Sequence, residues 1–279
     1  MSPLWRDRIQ VFLAPDRVDW VRTARGFKPV QAEKVTVQCE PVQGAPVWQA
    51  ELLQLEKHLT NASGADLSIT LSNHFVRYVT LPPQAEIMTP EEVNSYAAFR
   101  MREVYAERVD AWVLSVSEWS PLTGAVCAAI PRDLMVELEK LAVRLRCKLT
   151  EIEPYFASVY DRWQKSLNGD KTYCAVVEAG RMCISTQING VWHSIRNQRI
   201  VHGIADELLA ALDQEAVLSG EKAAVEQVFL FAPQHPDLKL PENCGWLFVP
   251  LLAEKTLAPA HYPSVTTDRS PLNHATLEA

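Results

Sequence analysis

The side chains that could do chemistry are thinly spread along this chain. Seven histidines, His58, His74, His193, His202, His235, His261 and His274, offer bases or metal ligands, but none stand in the HxxxH or HExxH spacing that brings two imidazoles to one helical face. No GxSxG nucleophile turn and no GxxxxGKS or GxxxxGKT phosphate loop occurs. Glu151 and Glu153 flank Ile152 and resemble a carboxylate pair, yet they read as surface or helix-entry acids just ahead of Pro154. The six cysteines, Cys39, Cys127, Cys147, Cys174, Cys183 and Cys244, include no CxxC pair and no histidine at ligand spacing. They read as thiols, several packed as small hydrophobes in the apolar runs AVCAAI, YCAVVEA and MCIST. The sequence yields no catalytic residue and no metal ligand set.

Composition narrows the classes. The chain has 279 residues, 48% of them hydrophobic, which is enough for one large domain or two lobes with a buried core. Lys and Arg number 27 against 34 Asp and Glu, a formal charge of −7 that argues against nucleic acid as a partner. No stretch reaches the ~20 apolar residues that cross a bilayer. The opening MSPLWRDRIQVF carries charges where a signal peptide is apolar, so a cytoplasmic protein is expected.

Apolar periodicity and turn residues set out the elements. Arg8–Leu13 and Val18–Arg22 read as a hairpin around Ala14-Pro15-Asp16-Arg17, with a third strand at Glu33–Cys39 and a helix over Val47–Leu59. Strands follow at Asp66–Leu71 and Phe75–Leu81, the latter closed by Pro82-Pro83. Thr89-Pro90-Glu91-Glu92 is a capping box with proline at the first helical position, opening a helix that runs to about Val109. Strands at Ala111–Ser117 and Gly124–Ile130 precede a helix starting at Pro131-Arg132-Asp133, a short strand at Lys148–Ile152 and a helix over Tyr155–Leu167. Asn168-Gly169-Asp170 marks a boundary between lobes. Beyond it lie strands Thr172–Glu178, Arg181–Gln187 and Val191–Arg196, the last two joined by the hairpin pair Asn189-Gly190. A helix over Gly203–Ser219 and strands at Val225–Phe231 and Trp246–Leu251 complete the series, and the proline-containing tail 259–279 reads as flexible.

The order β-β-β-α-β occurs twice, at Arg8–Leu71 and again at Thr172–Phe231, an internal duplication that predicts an α/β protein of two related lobes. Two such lobes are the plan of the actin-like (ribonuclease H-like) superfamily. The middle of the chain, LSNHFVRYVTLPP through TPEEVNSYAAFRMREVY to AAIPRDLMVELEKLAVRLRCKLTEIEPYFASVYDRW, resembles the PilM and MshI proteins of type IV pilus assembly, with Leu81-Pro82, Pro131-Arg132-Asp133 and Glu151-Ile152-Glu153-Pro154 in the matching places. The cytoplasmic part of GspL-type secretion proteins has a similar plan. The resemblance implies a first lobe over 8–170 with an inserted subdomain at about 66–130, and a second lobe over 171–258.

It also implies where a nucleotide would sit: on two hairpin turns whose backbone N–H groups hold phosphates beside an acid, with a glycine pair under the adenosine. Here the first turn carries Pro15 and Asp16, without a donor at the proline and without glycine. The second, Glu178-Ala179-Gly180-Arg181, keeps an acid and a glycine. The third, Ala232-Pro233-Gln234-His235-Pro236, has no glycine pair. The expectation is a pseudo-ATPase that needs no cofactor; the alternative is an active actin-like ATPase taking ATP with Mg and using the Glu178 turn.

What the resemblance then leaves is recognition. It implies a cytoplasmic, non-catalytic scaffold of an MSHA-like type IV pilus or related secretion machine, recruited to the inner membrane by the N-terminal cytoplasmic tail of a single-pass partner. Phe75, Arg77, Tyr78, Tyr96, Phe99 and Arg100 of the inserted segment are the anchors expected for such a tail, being of the aromatic and arginine types that dominate interfaces.

Overall fold

A computed structural model describes residues 6–24, 34–167, 169–220 and 223–252. The elements in chain order are β1 (Arg8–Ala14), β2 (Arg17–Thr23), β3 (Lys34–Gln38), α1 (Gln49–His58), β4 (Asp66–Leu71), β5 (Arg77–Leu81), α2 (Pro90–Tyr105), β6 (Trp112–Val116), β7 (Ala125–Pro131), α3 (Arg132–Arg144), β8 (Lys148–Pro154), α4 (Tyr155–Trp163), β9 (Lys171–Glu178), β10 (Arg181–Ile188), β11 (Val191–Arg199), α5 (Ile204–Leu218), β12 (Glu226–Phe231) and β13 (Trp246–Pro250). A 3-10 turn at Ala106–Ala111 follows α2.

The duplication is plain in the strand orders. One sheet runs β3-β2-β1-β4-β8 and another β11-β10-β9-β12-β13. In each, the first three strands form an antiparallel meander, and the strand after the helix returns parallel to the first. A helix crossover is what a parallel return needs, and α1 and α5 supply it in corresponding places. At the hairpin tips, Asn189 and Gly190 both hold the positive φ (52° and 78°) for which that pair is suited.

A third, three-stranded sheet in the order β5-β7-β6 lies outside both. Its central strand β7 is buried along almost its whole length, because each face has its own cover. Cys127 and Ala129 pack with Val79, Leu81, Ala97 and Met101 beneath α2, while Val126, Ala128 and Ile130 join the main core with Tyr78. α2 starts as its sequence predicts: the Glu92 N–H donates to Thr89 Oγ1 at 3.3 Å, and Glu92 Oε2 accepts from the Thr89 N–H at 2.9 Å.

Two expectations shift. Asp66–Leu71, placed at the start of the inserted segment, is β4 and pairs with β1, so the segment outside the first sheet runs from 72 to 131. The strand expected from Phe75 begins only at Arg77, because Ser72–Val76 folds into turns whose polar groups bond across the lobes. The tail 259–279, Glu33 and Asn168 lie outside the described residues.

One apolar cluster runs from the first sheet through Phe156 and Val159 of α4 to Cys174, Val176 and Cys183 of the second. The two lobes therefore share a core. The opposite face of the second sheet buries Tyr173, Ala175 and Val177 against Leu208, Ala211 and Leu212 of α5.

Candidate interlobe site

The tips of β1–β2 and β9–β10 converge where the lobes meet. The space there is lined by Ala14, Pro15, Asp16, Arg17, His74, Glu178, Ala179 and Gln234, and its volume is about 10 Å³. That is room for roughly one water, against ~300–1,000 Å³ for an ordinary ligand pocket.

Side chains and backbone close it. Glu178, 2% exposed at the end of β9, accepts from Ser72 Oγ at 2.5 Å and from the Asn73 N–H at 3.0 Å. His74 Nε2 donates to Ala179 O at 2.9 Å, and the Ala179 N–H donates to Gln234 Oε1 at 2.8 Å. The backbone donor that would meet a phosphate on this turn thus already has an acceptor. Burial raises the Glu178 carboxyl above its usual range despite the two donors, and lowers the His74 imidazole. Gly180 keeps a left-handed φ of 72°, which serves the tight turn.

Asn73 is the hub of this arrangement. Its Oδ1 accepts from Tyr78 OH at 2.7 Å and from the Phe156 N–H at 3.2 Å, and its carbonyl accepts from Asn197 Nδ2 at 2.8 Å. Asn197 Nδ2 also donates to Val76 O at 2.9 Å. The three-stranded sheet, α4 and the second sheet are all joined through one asparagine, which itself follows β4.

The six anchors expected for a partner do not come together. Phe75 and Tyr78 are each 4% exposed, Phe75 edge-on to Trp48 and Tyr78 edge-on to Phe156, so both are core residues. Arg77 donates to the carbonyls of His74 and Val76. Tyr96 packs edge-on to Trp119 and donates to Pro82 O. Only Phe99, 57% exposed, lies on the outer side of α2; the neighbouring Arg100 is half-buried and paired with Glu103. Pro15, Asp16 and Glu178 do line the cleft, and Gly180 stands just behind it beside His74. Sequence reasoning missed Ser72, Asn73 and Asn197, and placed Gln234 only in a third turn without a glycine pair; the Ser72-Asn73-His74 run reads locally as a turn, and its polar composition was the one signal available.

Paired sheets of one strand order, meeting at a cleft between two hairpin tips, define the actin-like ATPase fold. Solved structures of that fold superpose over most of the chain. The PilM–PilN type IV pilus biogenesis complex matches with a TM-score of 0.63 at 13% identity, covering 88% of each chain. A Bacteroides thetaiotaomicron protein with an actin-like ATPase fold and unknown function matches at 0.56 and 10% identity, covering 84% of this chain and 85% of that one. The cytoplasmic domain of EpsL, an inner-membrane component of the Vibrio cholerae type II secretion system, matches at 0.54 and 11% identity, covering 88% and 89%. At these identities the likeness is one of fold. No protein-family model and no curated protein sequence matches the chain. Among the described residues, no helix is long and apolar enough to cross a membrane.

Proposed function

We propose that this protein is a non-catalytic scaffold of a type IV pilus or type II secretion machine, working at the cytoplasmic face of the inner membrane. The observation that carries the reading is the closed interlobe site, where Glu178 and the Ala179 N–H are engaged by Ser72, Asn73 and Gln234 in a space of about 10 Å³. Glu178 held in this way is turned to joining the lobes, and a nucleotide would have to break those bonds to enter. The likeness to PilM in its complex with PilN and to the EpsL cytoplasmic domain supports an inner-membrane partner.

The partner we propose is the N-terminal cytoplasmic tail of a single-pass pilus or secretion protein. Of the six anchors, Phe99 on α2 is left for it by the packing, beside the half-buried Arg100 that pairs with Glu103. Calorimetry with Mg-ATP at millimolar concentration, against Mg with inorganic triphosphate, tests the first half: no heat beyond that of the triphosphate is expected, and a saturable signal specific to the nucleotide overturns the pseudo-ATPase reading. Pull-down with the tails of inner-membrane pilus and secretion proteins tests the second; capture of none of them overturns the scaffold assignment.

A further inference from the structure

Three arginines gather at the junction of the second sheet and the three-stranded sheet, with the single carboxylate of Glu178 set against them. Arg181 opens β10 and stands directly opposite Arg199 of β11 in the antiparallel ladder, so both side chains leave the same face. Arg77, at the start of β5, reaches the same place through a shared acceptor. Its Nη1 donates to Val76 O at 2.8 Å, the carbonyl that also accepts from Asn197 Nδ2, while Asn197 Oδ1 accepts from Arg181 Nη1 at 3.2 Å.

Among the described residues none of the three makes an ion pair. The acid opposite Arg181 on its other side is Glu178, whose oxygens are taken by Ser72 and Asn73. The Arg181 Nε–H is buried without an acceptor. Burial and the charge of Arg77, with a smaller part from Arg199, lower the Arg181 guanidinium below its usual range against the opposing pull of Glu178.

Opposed like charges and an orphaned buried donor both destabilise a fold. They stand here in a chain of net charge −7, so composition does not account for them. The opposed charges of Arg181 and Arg199 are relieved by an anion.

We infer that Arg77, Arg181 and Arg199 form an oxyanion-binding site for a carboxylate or phosphate group. Arg199 is exposed and Arg77 and Arg181 are half-buried, which opens the site to solvent. Guanidinium forks donate paired N–H groups that fit the two oxygens of such a group. This inference stands independently of the scaffold reading.

The test is calorimetry and thermal unfolding of the full chain with inorganic phosphate, and separately with an acetylated Glu-Glu-Glu peptide, at ionic strength held constant with sodium chloride. Saturable binding with a rise in melting temperature is expected for at least one probe, weakened about tenfold in Arg199→Gln. Without added anion, Arg199→Gln is expected to melt above the wild type, because the cross-strand repulsion is gone; this also shows that the variant folds. Response to phosphate alone supports a small free anion as the occupant, and response to the peptide alone supports an acidic partner segment. No saturable response to either probe, or equal affinity in wild type, Arg77→Gln and Arg199→Gln, overturns the site.

Discussion

The Asn73 N–H of the first lobe donates to Glu178 Oε1 of the second at 3.0 Å, between residues more than a hundred positions apart in sequence. With Ser72 Oγ on the other carboxylate oxygen, this contact joins the lobes at the cleft between the two hairpin tips. Replacing Glu178 by Ala leaves both donors buried without an acceptor. Denaturant unfolding is expected to show a loss of about 3 kcal/mol, with much less loss in Glu178→Gln, whose side-chain carbonyl still accepts.

Glu51 provides a pH dependence. It is fully buried in α1, neither carboxylate oxygen has a hydrogen-bond partner, and burial with the nearby Asp16 pushes its pKa from 4.5 up to about 7. The folded state holds this proton more tightly than the unfolded chain. The stability from Glu51 is therefore complete below pH 4.5, falls as pH rises to 7, and stays lost above that, by about 3 kcal/mol in all. Urea titrations between pH 5 and 8 should show the slope in the wild type and a flatter profile in Glu51→Gln. An equal slope in both removes Glu51 as its source.

Gly124 admits no side chain. Its φ is +72°, and a Cβ there would stand 2.1 Å from Leu81 O in the neighbouring strand. Gly124→Ala must displace β5 against β7, and a loss of about 2 kcal/mol or more is expected by thermal unfolding. Gly190→Ala, which meets no atom within 4 Å, isolates the backbone part of the effect.

Phe99 separates partner binding from folding. Its ring is largely exposed on α2, so Phe99→Ala should change stability by no more than about 0.5 kcal/mol. Under the proposed function it weakens capture of the membrane partner's tail in a pull-down. Unchanged capture moves the contact off α2.

How much of this was legible in the sequence depended on how locally each feature is encoded. The Thr89–Glu92 box and the Asn189-Gly190 turn each carry their own geometry in adjacent residues, and both formed as read. The repeated β-β-β-α-β order gave the two sheets, because a meander followed by a helix has few ways to close. Phe75 and Tyr78 misled because an aromatic residue in an apolar run serves a core and an interface equally well, and only packing against Trp48 and Phe156 decides. Glu178 stood out for the glycine two positions on. Its partner Ser72-Asn73 did not, since a turn of polar residues shows nothing of what will be folded on top of it.

The strand order of the first sheet also bears on how the chain is made. β8 pairs with β4, Asp66 opposite Lys148, so that sheet cannot be completed until the whole intervening segment has been synthesised. During translation β4 has an unpaired edge while β5, β6 and β7 are still emerging from the ribosome. All three strands of the smaller sheet are thus synthesised before β8 can close its host, whereas the second sheet is built from one uninterrupted stretch of chain.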